Sequence, residues 1–344
     1  MNKRLSVSRA HHFLPQCYLE NFAVPRSAKV SQVVGFDRLN GTMFKTSTEN
    51  VAQRRDFNRI EGTDEIPPDA FETSLARFEA ELGPALTRIL SSQSLTDQDD
   101  KIILMNFIGW IALHNPRWRE MWTGFQETVI KRIMDLMTST PEVWSSTVRQ
   151  ARQAGYVGDA TDGVTYESVR CLVEADAFAV SVPNEHHIGL ALDTLDTILD
   201  TLMKRKWWMV VAPPESGGFV TSDHPVVLMW SDPALRGGLY PPGHGRRGTQ
   251  LTFPLSSRVA LVGAFEIDEQ VDVVDEHFVA QINAVTILHS DRQVYARDLH
   301  FKYQPYRERP MRKGSHLIND PLLSRVPSGA AGRKRDGQPK PPVR

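Results

Sequence analysis

The pair of residues best suited to chemistry lies near the N-terminus, where His11 and His12 are adjacent. A neutral imidazole can act as a general base near neutral pH, and an imidazolium can stabilise an anion. Adjacent side chains of an extended segment point to opposite faces, so at most one of the two reaches a given site while the other packs or bonds structurally. His12 is slightly favoured for catalysis, because it is nearer the helical turns predicted for residues 15–22.

A carboxylate and an amide are the other candidate catalytic groups. Asp223 follows a predicted strand and could orient a histidine, bind a cation or act as a base. An Asx turn, in which the carboxylate bonds its own backbone, is an equal alternative. Asn283 lies in a predicted helix, where its amide could orient a ligand or satisfy a buried backbone group.

These motifs resemble a known family. The run His-His-Phe-Leu-Pro-Gln-Cys-Tyr-Leu-Glu-Asn-Phe at 11–22 and Ser-Asp-His-Pro at 222–225 are similar to the hallmark of the bacterial domain of unknown function 4238. The resemblance spans 11–298 and implies a role for an asparagine in a late helix, matching Asn283. Asparagine often stands at the position of His224 in that family, which argues against a required role for His224. The resemblance implies neither a substrate nor a cofactor.

Four further residues are candidates for substrate binding. Arg117 begins a helix after a break, where it could hold a phosphate or carboxylate, although a plain helix boundary is favoured. Arg246 and Arg247 lie in the glycine-rich loop 231–248, which is either a lid that closes over an anion or a disordered loop. Tyr18 of the N-terminal motif completes the set. The loop also matches G-x-G-x-x-G, but a strand follows it, so a dinucleotide site is discarded.

Composition limits the class of protein. The 344 residues carry a formal net charge of −1, which gives no strong overall bias toward polyanions. The charge is uneven, however, with +8 from Phe301 onward and −9 before it. A basic tail on an acidic body fits an anion-binding arm or, more simply, a solubilising extension. Cys17 and Cys171 are too few for a disulfide framework or a zinc set, which suits a reducing cytoplasm.

Several classes of protein are disfavoured. The longest apolar run, 102–113, is shorter than the about 20 residues that span a bilayer, and no apolar stretch follows the basic start as in a signal peptide. We therefore expect a soluble cytoplasmic protein without a membrane partner. The sequence has no P-loop, H-E-x-x-H, G-x-S-x-G, paired C-x-x-C or Glu-x-Lys motif. The last absence counts against the common restriction-nuclease core.

The periodicity predicts helices in the middle of the chain and strands at both ends. A hairpin with a type I′ Asn-Gly turn is predicted for 30–38 and 42–48. Apolar residues at helical spacing predict helices near 71–89, 102–113, 117–137, 141–150, 165–178 and 185–205. Short strands follow at 207–212, 219–222, 249–254, 259–265 and 293–296, with one more helix at 272–288.

Runs of helices and of strands, rather than their alternation, predict an α+β fold. We expect a largely helical middle, with a mixed or antiparallel sheet formed by the N-terminal hairpin and the C-terminal strands. One globular domain is predicted for 1–305, made of the motif and hairpin (11–66), a helical region (67–205) and the C-terminal strands and helix (206–300). Residues 306–344 are predicted to be a basic disordered tail.

Two functions of different classes fit these residues. One is a hydrolase of a phosphodiester or nucleotide, using His11, His12, Asp223 and Asn283, with no metal or with a divalent metal, and by analogy a toxin or defence effector. The other is a non-enzymatic binding or scaffold protein, in which the same motifs form a buried polar network. Exposure discriminates between them: catalysis needs these side chains in an open cleft, whereas a network buries and bonds them. A nucleotide or nucleic acid is the expected partner, and the oligomeric state is open.

Overall fold

The computed structural model describes residues 9–27, 30–63, 66–157, 164–235, 238, 240–306 and 308–324. They form the α+β fold that the sequence predicts, with a helical middle and sheets built from strands of both ends. The chain divides into two compact units, one made of Met1–Asn115 with Ile188–Arg344 and the other of Pro116–His187.

The helices follow the predicted apolar stripes closely. They are α1 (Gln16–Leu19), α2 (Ala70–Ser92), α3 (Gln98–Leu113), α4 (Pro116–Met137), α5 (Pro141–Gln153), α6 (Tyr166–Glu174), α7 (Asn184–Lys204), α8 (Glu276–His289) and α9 (Pro321–Ser324). Helix α3 begins with acidic residues, and the side chain of its capping residue Asp97 accepts the Asp100 backbone N–H at 3.0 Å.

The strands are more numerous than the sequence indicates. They are β1 (Ala10–His12), β2 (Val24–Ser27), β3 (Val30–Asp37), β4 (Thr42–Ser47), β5 (Gln53–Arg55), β6 (Lys206–Val211), β7 (Thr221–Ser222), β8 (Val227–Trp230), β9 (Thr249–Pro254), β10 (Val259–Ala264), β11 (Gln270–Val273), β12 (Gln293–Ala296), β13 (Lys302–Tyr303) and β14 (Arg312–Lys313).

Two five-stranded sheets organise the first unit. One has the order β11-β6-β10-β9-β8 and is antiparallel except for the parallel pair β11–β6. In the other, β3 pairs with β2, β4 and β12, and β12 also pairs with β7. The N-terminal hairpin therefore joins C-terminal strands, as expected, because Tyr295 of β12 lies opposite Gly35 of β3. Two short ribbons, β1–β5 and β13–β14, complete the pairing.

The hairpin turn differs from the predicted type I′ geometry. Asp37 pairs with Thr42, so four residues form the loop, and of these Gly41 has a positive φ of 60°. The Asp37 carboxylate accepts the backbone N–H groups of Leu39 and Asn40, both at 3.0 Å. This side-chain capping favours a longer turn with one left-handed residue over the two that a type I′ turn needs.

The late helix also begins later than predicted. Residues 270–273 form the exposed edge strand β11, and α8 starts at Glu276, after Asp275 caps it by accepting the Phe278 backbone N–H at 2.7 Å. Apolar residues in an edge strand next to a helix give one continuous apolar pattern, which conceals the boundary.

The main hydrophobic core joins the N-terminal motif to α2, α3 and the first sheet. Leu14, Leu19 and Phe22 are fully buried in it, so residues 11–22 build the fold as well as carrying the His-His pair. A second core lies between the second sheet, α8 and the C-terminal segment.

Part of the predicted disordered tail is folded. In 308–324, Leu317, Leu322 and Leu323 are buried in the second core. Arg38 Nε donates to the Leu323 carbonyl at 2.9 Å, and the Tyr303 hydroxyl donates to Asp320 at 2.7 Å. A few well-placed leucines and an ion pair between the exposed Arg312 and the buried Asp320 order a segment of low overall hydropathy. Residues 325–344 lie outside the described residues.

The second unit consists of α4, α5, α6 and the start of α7. Both short helices are capped as their sequences suggest: Thr140 accepts the Val143 N–H, and Thr165 and Ser168 form a capping box. Arg170 connects two helices, donating to Asp135 at 3.0 Å and to Glu174 at 2.7 Å. The loop predicted for 154–163 lies partly outside the described residues.

Candidate functional site

His11 is a buried residue of the ribbon β1–β5. It pairs with Arg54, and its side chain is 2% exposed. Its Nδ1 accepts the backbone N–H of Asn58 at 2.8 Å, which fixes the turn after β5. The imidazole of His11 therefore has a structural role, which is to hold this turn. The sequence predicts such a role for one of the two adjacent histidines, because their side chains point to opposite faces.

Asn58 continues this contact into a buried polar network. It is fully buried, its Oδ1 lies 2.7 Å from His114 Nε2, and its Nδ2 donates to Glu72 Oε2 at 2.7 Å. His114 in turn stacks on Trp110, with ring centroids 4.1 Å apart. The network ties the ribbon to α2 and α3. Sequence reasoning missed it, since Asn58 and Glu72 carry no local signal that distinguishes them from surface residues.

His12 points to the other face of the ribbon and is half-buried. Its Nε2 lies 3.3 Å from Gln16 Nε2, and among the described residues its buried Nδ1 has no hydrogen-bond partner. Burial lowers the pKa of the imidazole, while Glu72 first, then the Val51 carbonyl and Glu49, act to raise it. The ring is thus neutral at pH 7 and accepts from the Gln16 amide through Nε2.

Two titratable groups belong to the same region. Burial raises the pKa of Glu79 to about 7, with a further contribution from Glu72. Burial, and then the charges of Glu79 and Glu20, raise the pKa of the Cys17 thiol to about 12. Cys17 is therefore a thiol at neutral pH and unsuited to nucleophilic attack.

Asp223 lies at the end of β7 and binds a distant backbone segment. Its carboxylate accepts three consecutive backbone N–H groups, from Asp291 at 2.7 Å, Arg292 at 2.6 Å and Gln293 at 2.8 Å. It is 6% exposed. Burial raises its pKa to about 7, with a contribution from Asp291, and the three N–H donors oppose that rise. This long-range contact stands in place of the Asx turn that was the equal alternative for Asp223, because the turn before β12 presents three N–H groups together.

Asn283 satisfies buried backbone groups. Its Oδ1 accepts the Val220 N–H at 2.9 Å, and its Nδ2 donates to the carbonyls of Gly218 at 2.9 Å and Lys302 at 2.8 Å. The residue is fully buried in α8. These contacts also explain why the predicted strand 219–222 shrinks to Thr221–Ser222, since Val220 bonds the amide side chain and not a neighbouring strand.

A buried tyrosine stands between the two motifs. The Tyr295 hydroxyl donates to Gln293 Oε1 at 2.8 Å, and the same hydroxyl contacts the Ala52 backbone. Burial, and then the charge of Asp223, raise its pKa. Within the described residues no hydrogen bond or ion pair joins His12 to Asp223. The connection between the His-His motif and Asp223 is indirect. It passes from Asp223 to Gln293, from Gln293 to Tyr295, and from Tyr295 to the segment after β4.

Tyr18 is a core residue, which contradicts its predicted role in substrate binding. It is fully buried, and its hydroxyl donates to the Pro254 carbonyl at 2.8 Å and lies 2.7 Å from Thr221 Oγ1. Its ring stacks on Phe253, with centroids 5.4 Å apart. The aromatic ring contributes apolar area and its hydroxyl links α1 to the strands, so no group remains for a ligand.

The three predicted substrate-binding arginines belong to different units of the chain. Arg117 is in the first turn of α4, in the second unit. Arg246 and Arg247 are exposed in the first unit, and the Arg246 guanidinium lies 5.2 Å from the Trp230 ring centroid. The segment 240–248 is ordered, although residues 236, 237 and 239 of the same loop lie outside the described residues.

A buried arginine holds this loop, and sequence reasoning did not find it. Arg205 donates to the carbonyls of Thr249 at 2.9 Å, Gly263 at 3.1 Å and His244 at 2.6 Å. Its guanidinium lies 4.4 Å from the centroid of the Phe265 ring, and burial lowers its pKa to about 10. The same environment lowers the pKa of His244 to about 4, first by burial and then by the charge of Arg205.

The described residues contain no group of three or more His, Cys, Asp or Glu side chains placed to hold a metal ion. Nor do they contain a helix long and apolar enough to cross a membrane.

Comparisons with known proteins agree with the motifs. No curated protein and no solved structure matches the chain. The family model described as protein of unknown function (DUF4238) matches residues 10–300, which include the His-His motif, Asp223 and Asn283. A match over this much of the sequence shows the family, and the chain belongs to the DUF4238 family of proteins of unknown function.

Proposed function

We propose that this protein is a non-enzymatic binding protein whose His and Asp motifs form a structural polar network. The observation that carries the proposal is the carboxylate of Asp223, which is buried and accepts three consecutive backbone N–H groups. His11 and Asn283 are buried and bonded to backbone in the same way. Three of the four candidate catalytic residues thus have no face open to a substrate.

The energetics support a structural role for these groups. A buried donor or acceptor that loses its partner costs about 1–3 kcal/mol, and more when the partner is charged. Asp223 joins β7 to the turn before β12, and Asn283 joins α8 to the segment before β7 and to β13. Networks of this kind specify one arrangement of a core, because every alternative leaves polar groups unpaired.

The test is a search for hydrolysis that depends on His12. The full chain is incubated with labelled RNA, DNA and nucleotides, with and without Mg²⁺ or Mn²⁺, beside His12→Ala. We expect the wild type to release no more product than buffer alone, so that His12→Ala and the wild type give the same result. Turnover abolished in His12→Ala, at an unchanged Tm, would overturn the proposal.

A hydrolase of phosphodiesters or nucleotides is the second candidate, and His12 is the observation in its favour. Its imidazole is neutral and half-buried, and its Nε2 accepts a hydrogen bond from the Gln16 side-chain amide. A substrate hydroxyl or a water molecule could take the place of that amide. Glu79, with its pKa of about 7, would serve as the acid. His12→Ala separates the candidates, because the hydrolase needs the imidazole for turnover whereas the binding protein does not, and an unchanged Tm shows that the variant is folded.

We further propose that the protein works in the cytoplasm with a nucleotide or nucleic acid as its partner. Both cysteines, Cys17 and Cys171, are free thiols, which fits a reducing compartment.

A further inference from the structure

The second unit, Pro116–His187, has apolar residues in its helices but no apolar core of its own. Among its described residues the buried ones are Pro116, Arg119, Thr138 and His187, of which Pro116 alone is apolar. In α5 and α6, every residue of which is described, none is buried. Helices in proteins are held mainly by the packing of an apolar face, so this unit lacks the contact that usually stabilises helices.

The apolar side of α4 is exposed to solvent. Its exposed apolar residues recur every three or four positions and so share one face of the helix, and they are Met121, Phe125, Val129, Ile133 and Leu136. Their exposed fractions lie between 38% and 62%. We call these five residues the α4 stripe. Arg132 borders the stripe, but its guanidinium is paired with Asp135 at 3.3 Å and can stay in water while its stem packs.

The other side of α4 is polar and contacts the rest of the second unit. Lys131 Nζ lies 2.6 Å from the carboxylate of Asp176, and Arg170 of α6 donates to Asp135 at 3.0 Å. Both α4 residues lie on the side of the helix away from the centre of the stripe. The helix therefore turns charged groups toward its neighbours and apolar groups toward water, which is the reverse of a helix that packs on its own core.

The charge of the second unit argues against nucleic acid or an anionic membrane as the surface that covers the stripe. Residues 116–187 contain 7 Lys+Arg and 10 Asp+Glu, a net of −3. Helices that lie on membranes carry Lys and Arg on their polar face, and nucleic acid binds basic surfaces. An uncharged apolar surface of the same length fits the stripe better, and a second α4 helix is such a surface.

The stripe is nearly symmetric about Val129. Phe125 and Ile133 each lie four residues from it, and Met121 and Leu136 lie eight and seven residues from it. When two α4 helices pack antiparallel across a two-fold axis at this point, Val129 meets its own copy and Phe125 meets the partner's Ile133. A two-fold interface requires self-complementarity of this kind.

The exposed area suffices for a specific dimer. A large apolar side chain can bury roughly 200 Å², so five side chains that are about half exposed offer about 500 Å². Two stripes in contact cover about 1,000 Å² before the polar rim is added, which reaches the size of a specific protein interface.

We propose that two copies of this chain associate through the α4 stripe, antiparallel about Val129, and that the second unit gains its missing apolar core in this dimer. Burial of the two stripes supplies the driving force. Dimerisation through α4 goes beyond the proposed function and does not depend on whether the His-His motif is structural or catalytic. A dimer also presents two copies of the first unit, which strengthens binding to any partner that carries repeated sites.

The first measurement is the mass of the full chain in solution, by sedimentation equilibrium over about 1 to about 100 μM protein. One chain has a mass of 38.8 kDa. We expect twice this mass at the upper end of the concentration range, decreasing toward the mass of one chain on dilution.

The decisive variants are Val129→Lys and Val129→Glu, because a residue on the axis meets its own copy. Each variant places two like charges together, so the affinity of the dimer should fall at least about a hundredfold. In an equal mixture an ammonium group lies opposite a carboxylate, and dimers should form at least about tenfold more tightly than with either variant alone. Val143→Glu changes a similarly exposed valine of α5, 41% against 38%, and should dimerise like the wild type.

Recovery on mixing also shows that both Val129 variants are folded, which circular dichroism checks independently. Four outcomes would overturn the proposed dimer. They are the mass of one chain at every concentration, a wild-type dimer that the Val129 variants leave intact, variants that dissociate but do not recover when mixed, and a monomer that binds phosphatidylcholine vesicles through the stripe.

Discussion

The carboxylate of Asp223 accepts the backbone N–H of Arg292 at 2.6 Å, across a sequence separation of 69 residues. The same carboxylate takes the N–H groups on either side, from Asp291 and Gln293. The turn between α8 and β12 is thus folded around one side chain. Arg292 also turns its guanidinium to Asp37, at 2.7 Å, so the hairpin β3–β4 is connected to the same turn.

Removing this carboxylate should destabilise the protein strongly. Asp223→Ala leaves three consecutive backbone N–H groups without their acceptor, and we expect a loss of about 3–5 kcal/mol in the free energy of unfolding. Asp223→Asn should cost nearly as much, because its NH₂ group would face backbone donors. Urea denaturation followed by circular dichroism measures both. The exposed Asp196→Asn in α7 is the control and should stay within about 0.5 kcal/mol of the wild type. A loss below about 1 kcal/mol for Asp223→Ala would contradict the structural role.

The buried pair Asn58 and His114 should be energetically coupled. Their side chains lie 2.7 Å apart, and each is sealed from solvent. In a double-mutant cycle of Asn58→Ala and His114→Phe, each single change should cost about 2–4 kcal/mol. The double variant should cost about 1–2 kcal/mol less than their sum, since removing both partners leaves fewer unpaired groups. Additive costs would show that the two side chains act independently.

Acidification should destabilise the protein through His244. Its pKa is about 4 in the folded state, against about 6.5 when unfolded, so the unfolded chain binds more protons between these values. The contribution of His244 to the free energy of unfolding is fully present above pH 6.5, and it is lost as the pH drops toward 4. From pH 7 to pH 5 the linkage predicts a loss of about 2 kcal/mol that His244→Gln lacks.

The raised pKa of Asp223 acts in the opposite direction over the same pH range. The measurement is therefore the difference between wild type and His244→Gln in urea unfolding at pH 7 and pH 5. Parallel pH profiles for the two proteins would show that His244 does not titrate as proposed.

The loop around Gly243 to Gly248 should depend on Arg205. Arg205→Lys keeps the charge, but an ammonium group cannot reach the three carbonyls that the guanidinium holds. We expect local opening of the loop and faster tryptic cleavage after Arg246 and Arg247, by about tenfold, which corresponds to about 1.4 kcal/mol of local stability. Arg258→Lys, at an exposed position between β9 and β10, is the control for the same substitution elsewhere in the sheet. Equal cleavage rates in both variants would refute the role of Arg205.

The elements of the fold were predictable where the signal is local. An alternating pattern around Asn40 and Gly41 predicted the hairpin, and apolar residues at helical spacing predicted α2 to α7 within a few residues. Short strands such as β1, β5 and β11 were missed, because three or four residues carry too little periodicity. Tyr18 was misassigned for a related reason: a tyrosine in a motif looks the same in sequence whether its hydroxyl meets a ligand or a backbone carbonyl.

The sequence by itself determined the family, the α+β class, the helical middle and the residues that matter, since local patterning and two short motifs encode them. Only the tertiary structure decided what those residues do. The partners of Asp223 and Asn283 lie about 20 to 70 positions away, and the network of His11, Asn58 and His114 crosses three elements. A hydrogen bond depends on which groups are left unpaired when elements pack, and packing is a property of the whole fold.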